Sequence, residues 1–204
     1  RLSIMKRSTL LLAAATAILV SSCIGIDADA RIAADGSVEL TLAYTVSAAV
    51  DELGKLGANA DYLPLPVGRN DLELAASRAG GELRSWSRED GAESFAIKAS
   101  LRFPGVASFA AFLDPAGEGA AYAEAGGRST LTIRLSEGFD PADDDMLEFV
   151  KLAFADYAVN LRITAPRTPT ATSGLALSGR VATFSMKAAD LYASNSPVTI
   201  SLSW

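Results

Sequence analysis

Histidine is absent from the 204 residues, and cysteine occurs once, as Cys23. Together these absences remove the imidazole general base, the usual zinc ligands and any disulfide within the chain. Positive charge is also scarce. Of 18 Lys and Arg, Arg1, Lys6 and Arg7 precede Cys23, leaving 15 against 24 Asp and Glu, a net of about −9 for the remainder. A surface of that sign repels polyphosphate, so no nucleic-acid partner is expected. Catalytic signatures are missing too. The part after Cys23 holds no Gly-x-Ser-x-Gly elbow and no Ser-x-x-Lys. None of Gly80-Gly81, residues 117–119 or Gly126-Gly127 belongs to a phosphate-binding G-x-x-x-x-G-K-[ST] loop. The reading is non-enzymatic, with no catalytic residue, no metal and no cofactor assigned.

What is present begins with a leader. Met5-Lys6-Arg7 gives a basic start, Leu10 to Val20 an apolar run, and Ser21-Ser22-Cys23 a small-residue cleavage point. This order is that of a secretory signal, and the apolar run is short for a membrane span. Val20, Ser21, Ser22 and Cys23 resemble the bacterial lipobox. The resemblance implies diacylglyceryl transfer to the Cys23 thiol, cleavage before it, and acylation, palmitate included, of the new amine. More than one acyl chain satisfies what stable anchoring needs. Residues 1–22 are therefore read as a signal peptide with an upstream extension before Met5. Residues 23–204 are read as one lipid-anchored domain, and its size suits a single core. Ile24 after the cysteine favours the outer membrane by analogy with enterobacterial sorting.

The rest alternates between strand and helix patterns. Residues 26–32 and 38–46 flank Asp35-Gly36, a hairpin signal. Val50, Leu53 and Leu56 recur at helical spacing, and Asn70 suits the N-cap of a short helix that Gly80-Gly81 ends. Strand patterns follow at 83–88 and 95–103, then a helix over 106–113 with Val106, Phe109, Phe112 and Leu113 on its apolar face. Residues 115–127 read as a loop or weak edge strand, and 131–135 as a strand. Asp140-Pro141 opens a helix whose stripe is Met146, Phe149, Val150, Ala153, Phe154 and Tyr157. Strands at 161–165, 175–177, 181–186 and 198–204 close the chain. The expectation is an α+β fold: a largely antiparallel sheet of about eight strands with three or four helices packed on it.

Candidate chemistry is thin. Asp140, Asp143, Asp144 and Asp145 could hold a hard cation, but they open a helix, where capping and dipole stabilisation account for them. Phe103, Phe109, Phe112, Phe149, Phe154 and Tyr157 could line a pocket for an acyl chain between helices and sheet, against the plainer reading that they are core. Trp204 reads as a buried plug.

The order of lipobox, ADGSVELTLAYTV, FPGVASFAAF, RLSEGFDPADDDMLEFV, NLRITAPRTP and SPVTISLSW resembles the LppM-type bacterial lipoprotein domain. That resemblance implies an α/β envelope lipoprotein and carries over no catalytic residues. Members often bear a C-terminal transmembrane helix. This chain reaches Trp204 without one, so the expected membrane link is the lipid at Cys23, and Arg167 stands where the family usually has glycine. The function expected is a membrane-anchored envelope lipoprotein that binds an amphiphile or an envelope protein partner. The alternative is a structural or assembly lipoprotein that scaffolds an envelope complex and holds no small ligand.

Overall fold

In the computed structural model the described residues are 25–47, 66–92, 94–138, 148 and 157–204. The alternating segments pair into eleven strands, in two sheets. A seven-stranded sheet runs in the order β3-β4-β2-β1-β7-β10-β9, and a four-stranded sheet in the order β5-β6-β11-β8. The strands are β1 (Gly25–Ile32), β2 (Val38–Ser47), β3 (Glu82–Asp90), β4 (Ser94–Phe103), β5 (Ala120–Ala125), β6 (Arg128–Ser136), β7 (Ala158–Thr164), β8 (Ala171–Ser173), β9 (Ala176–Ser178), β10 (Val181–Lys187) and β11 (Val198–Ser203). Three helices are described, α1 (Arg69–Arg78), α2 (Val106–Leu113) and the short α3 (Ala188–Tyr192). The helices expected from Val50 and from Asp140 lie outside the described residues, apart from helical Glu148. None of the described helices is long and apolar enough to cross a membrane.

The α+β class holds, but the single sheet of about eight strands is corrected to two sheets and eleven strands among the described residues. The larger sheet is mixed. β1 pairs with β2 antiparallel from Gly25↔Thr45 to Ile32↔Val38, and with β7 parallel from Ile26↔Val159 to Arg31↔Thr164. Hairpin signals reveal neighbours in sequence. They cannot reveal that the chain leaves the small sheet after β6 and re-enters beside β1, a crossover that parallel pairing requires. The Gly/Ala-rich stretch at 115–127 resolves into the edge strand β5, paired with β6 from Ala120↔Ile133 to Ala125↔Arg128.

Alternation decides what lies inside. Leu40, Leu42, Ile97, Leu101 and Ile163 of the large sheet join Leu131, Ile133, Ile200 and Leu202 of the small one in a single buried cluster, with Leu72 of α1 and Phe109 of α2. Trp204 is buried in the same cluster, as the sequence suggested.

Local chemistry sets the connections. In the first hairpin Gly36 takes a φ of 85° and the Asp35 carboxylate accepts from the Ser37 amide at 3.0 Å. α1 starts at Arg69 behind an N-cap at Gly68, so Asn70 sits inside the first turn and is not the cap. With no side-chain cap bond at that end, Asp71 in the first turn complements the helix dipole instead. At the other end the Gly80 amide donates to Ser77 O and the Gly81 amide to Ala76 O, with Gly80 at φ 76°. That pair of bonds is a Schellman stop, which needs glycine at the left-handed position. α2 keeps its expected bounds but buries Val106, Phe109 and Ala110. Leu113, placed on the apolar face by spacing, is 37% exposed. It is the last residue before the chain leaves helical geometry at Asp114.

Asp114 fastens the turn that delivers β5. Its carboxylate accepts from the amides of Gly119, Ala120 (3.2 Å) and Ala116 (3.1 Å). These bonds, Gly119's foremost, hold its pKa below the ordinary 3.8 against an opposing desolvation. A carboxylate depressed in the folded state contributes stability above its unfolded pKa, and loses it as pH falls through the folded value. Wild type should therefore be more stable than Asp114→Asn at neutral pH, with the gap between their urea midpoints closing below about pH 3.8. A gap unchanged down to pH 2 would remove the ionised carboxylate from the account.

Candidate functional site

The outward face of the large sheet carries the side chains that alternate with the core. Register brings them into rows across strands that are remote in sequence. One row runs Lys98, Ala43, Asp27, Asn160, Ser185, and the next runs Ser100, Thr41, Asp29, Arg162, Thr183. Rows advance by about 4.8 Å per strand, so each spans the middle of the sheet.

The first row is chained by hydrogen bonds. Ser185 Oγ donates to Asn160 Oδ1 at 2.7 Å, and Asn160 Nδ2 donates to Asp27 Oδ1 at 2.8 Å. The two bonds give the Asn160 amide one orientation, because its oxygen accepts and its nitrogen donates. In the second row Arg162 Nε lies 3.5 Å from Asp29 Oδ2, an exposed pair of little energetic weight.

Small side chains between these polar groups leave two adjoining hollows. One, of about 430 Å³, is bordered by Asp29, Thr41, Arg162 and Thr183. The other, of about 440 Å³, is bordered by Thr45, Ala96, Lys98 and Tyr157. Asp27, Ala43 and Asn160 line both, so the two form one open trough. Such a surface can hold a partner's polar groups by exposed donors and acceptors without removing them wholly from water. Among the described residues no cluster of three or more acidic or sulfur side chains could hold a metal.

A third hollow, of about 460 Å³, lies at the hairpin end, between Asp35, Tyr122, Glu124, Arg167 and Trp204. There the Tyr122 and Trp204 rings stack with centroids 6.3 Å apart, and Arg167 donates to Gly127 O at 2.8 Å. Arg167 thus holds the turn between β5 and β6.

Of the residues expected to line an acyl pocket, Phe103, Phe109 and Phe112 come together. The Phe103 ring centre is 5.8 Å from that of Phe109 and 5.1 Å from that of Phe112. Phe103 and Phe109 are fully buried. Tyr157 is elsewhere: it packs on Gly25, which pairs with Thr45, whereas Phe103 pairs with Val38 at the far end of β2. Seven residues of strand separate the two places, about 23 Å. Phe149 and Phe154 lie outside the described residues, as do Val20, Ser21, Ser22, Cys23 and Asp140 to Asp145.

The trough residues Asp27, Thr41, Asn160 and Ser185 did not stand out in the sequence. Alternation assigns each to the polar side of its strand, but only the β1–β7 and β7–β10 adjacencies put them in one row.

No family model matches the chain, and no curated protein matches it. A solved structure similar to it is the NMR structure of the folded domain of the LppM protein of Mycobacterium tuberculosis. Identity is 17%, 89% of each chain is covered, and the TM-score is 0.51. The chain therefore has the LppM-type fold that its sequence patterns resemble.

Proposed function

We propose that this chain is a membrane-anchored envelope lipoprotein, tethered through lipid on Cys23, that works by binding. The partner sits on the open trough of the large sheet. The LppM-type fold supports the envelope-lipoprotein part of this reading. The observation that carries the binding part is the place of the hollows, on the outer face of the large sheet and away from the buried phenylalanines. Phe103 and Phe109 are sealed in the core, while the hollows lie on an exposed face lined by Asp27, Thr41, Asn160 and Arg162. Small-molecule pockets are enclosed and mostly apolar. A wide, open trough in which apolar surface is edged by Asp27, Asn160 and Arg162 suits the flat or extended surface of an envelope protein better than an acyl chain, which needs enclosure.

The test compares the full-length chain with Cys23→Ala, both expressed in a bacterial host and partitioned in Triton X-114. Wild type should enter the detergent phase as a shortened, acylated product, and Cys23→Ala should stay aqueous. Both forms in the aqueous phase would end the anchor reading. Organic extracts of the purified Cys23→Ala protein, examined by mass spectrometry, should contain no stoichiometric amphiphile. Finding one would move the ligand from protein to lipid.

A further inference from the structure

We infer that the chain pairs with a second copy of itself along the free edge of β5, joining two four-stranded sheets into one of eight. β5 ends the order β5-β6-β11-β8, and its outward backbone groups can be identified. Ser129 lies opposite Glu124 in the β5–β6 ladder, yet it exchanges both of its backbone bonds with Trp204, at 2.9 Å each. The Ser129–Glu124 pair is therefore the non-hydrogen-bonded kind, and the Glu124 N–H and C=O point away from β6. With a period of two, so do those of Tyr122 and Ala120. The Ala120 amide is already taken by Asp114. Those of Tyr122 and Glu124 have no backbone partner among the described residues.

Natural sheets blunt such edges with charge, proline, bulges or brevity. The other three edges here show these devices. β3 carries Glu82, Arg84, Arg88, Glu89 and Asp90 and has a register shift between Leu83 and Ser85, while β8 and β9 are three residues long. β5, Ala-Ala-Tyr-Ala-Glu-Ala, has six residues, no register shift against β6, no proline and one charge. α2 packs against β5 while turning Val106, Phe109 and Ala110 into the core, and it gives no backbone bond to Tyr122 or Glu124.

The sequence of this edge is complementary to itself. Placed antiparallel with Ala123 opposite Ala123, Tyr122 faces Glu124 of the second copy and Glu124 faces its Tyr122. Both are outward-bonding residues, so each pair exchanges two backbone bonds. The arrangement is two-fold and closed, as most homodimers are. On the outer side Ala121 meets Ala125, methyl against methyl. On the inner side the Tyr122 hydroxyl, which already donates to Glu124 within its own strand, finds the same acceptor across the axis. No like charges stand opposite each other, which would destabilise the pairing.

The experiment uses the full chain carrying Cys23→Ala, so that a thiol introduced by Ala123→Cys is the sole one and the result does not depend on the anchor. Opposed residues in a non-hydrogen-bonded pair have Cα atoms about 4.5 Å apart, within disulfide reach. Under copper-phenanthroline oxidation Ala123→Cys should give a disulfide-linked dimer on a non-reducing gel roughly ten times faster than equally exposed Ala125→Cys, whose counterpart lies out of reach. Adding Glu124→Pro removes an edge-facing N–H but no bond to β6, a place where a strand tolerates proline. It should abolish the cross-link while Glu124→Gln keeps it, with circular dichroism verifying that both variants fold. Equal cross-linking at 123 and 125, no dimer at 123, or a dimer that survives in folded Glu124→Pro would each overturn the proposal.

Discussion

Phe103→Ala should lower the stability of this domain by on the order of 3–5 kcal/mol, the range for deleting a fully buried aromatic ring. In a domain of this size each kcal/mol moves Tm by about 2–4 °C, so a fall of ~10 °C is expected in thermal unfolding followed by circular dichroism. The residue has no exposure, and its ring meets Phe109 and Phe112 of α2 at 5.8 and 5.1 Å. It closes β4 against Val38 of β2 and so joins the large sheet to the helix that feeds β5. Collapse around the vacated volume is restricted, because sheet backbone forms one wall and α2 the other. Phe103→Leu, which keeps most of the volume, should cost under about 1.5 kcal/mol. A Phe103→Ala protein that melts within a degree or two of wild type would mean that the ring fills no tight interior. The acyl-pocket reading of this aromatic group would then gain ground.

Period-two patterning is why so much of the fold could be read from residues alone. Val38, Leu40, Leu42, Tyr44 and Val46 alternate and all are buried, and Phe95 to Phe103 do the same on the neighbouring strand. Glycine signals were equally direct at Asp35-Gly36 and Gly80-Gly81. The departures in topology have one origin. Pattern reports which face of a strand is dry and is silent on which strand lies beside it when the connection is long. The parallel β1–β7 contact, the split into two sheets and the polar row from Lys98 to Ser185 all depend on that adjacency. β8 and β9 are three residues each, too short to carry a period, and β5 is masked by alanine, whose methyl marks neither face.

The candidate site was legible in kind and not in place. Asp27 and Asp29 were visible as polar positions in an alternating segment. Nothing along the chain links them to Asn160 and Arg162 more than 130 residues later, although the Asn160–Asp27 bond is 2.8 Å. The aromatic group shows the reverse. Phe103, Phe109 and Phe112 were grouped with Tyr157 by residue type, and the strand register separates them. A site built from register requires the pairing; a core built from hydrophobicity requires only the pattern.

Gly81→Ala should be destabilising by about 1–3 kcal/mol, although it adds one methyl and leaves the Schellman stop to Gly80. A Cβ at this position would lie 2.4 Å from Phe103 Cδ1 and 2.9 Å from the Arg102 carbonyl oxygen. The two obstacles differ in kind. The ring is held by Phe109 and Phe112 and can be shortened by mutation, whereas the carbonyl belongs to the β4 backbone and cannot be moved without disturbing its pairing with β2 and β3. Combining Gly81→Ala with Phe103→Leu separates them. Residues in contact couple by roughly 0.5–3 kcal/mol in a double-mutant cycle. If the ring is the main obstacle, Gly81→Ala should cost distinctly less beside leucine than beside phenylalanine, as read from urea midpoints. If the cost is the same in both backgrounds, the backbone carbonyl sets the limit, and glycine is required there because α1 runs directly onto β4. A Gly81→Ala protein as stable as wild type would contradict both versions, since either requires the chain to shift at a place where helix end, strand and buried ring meet.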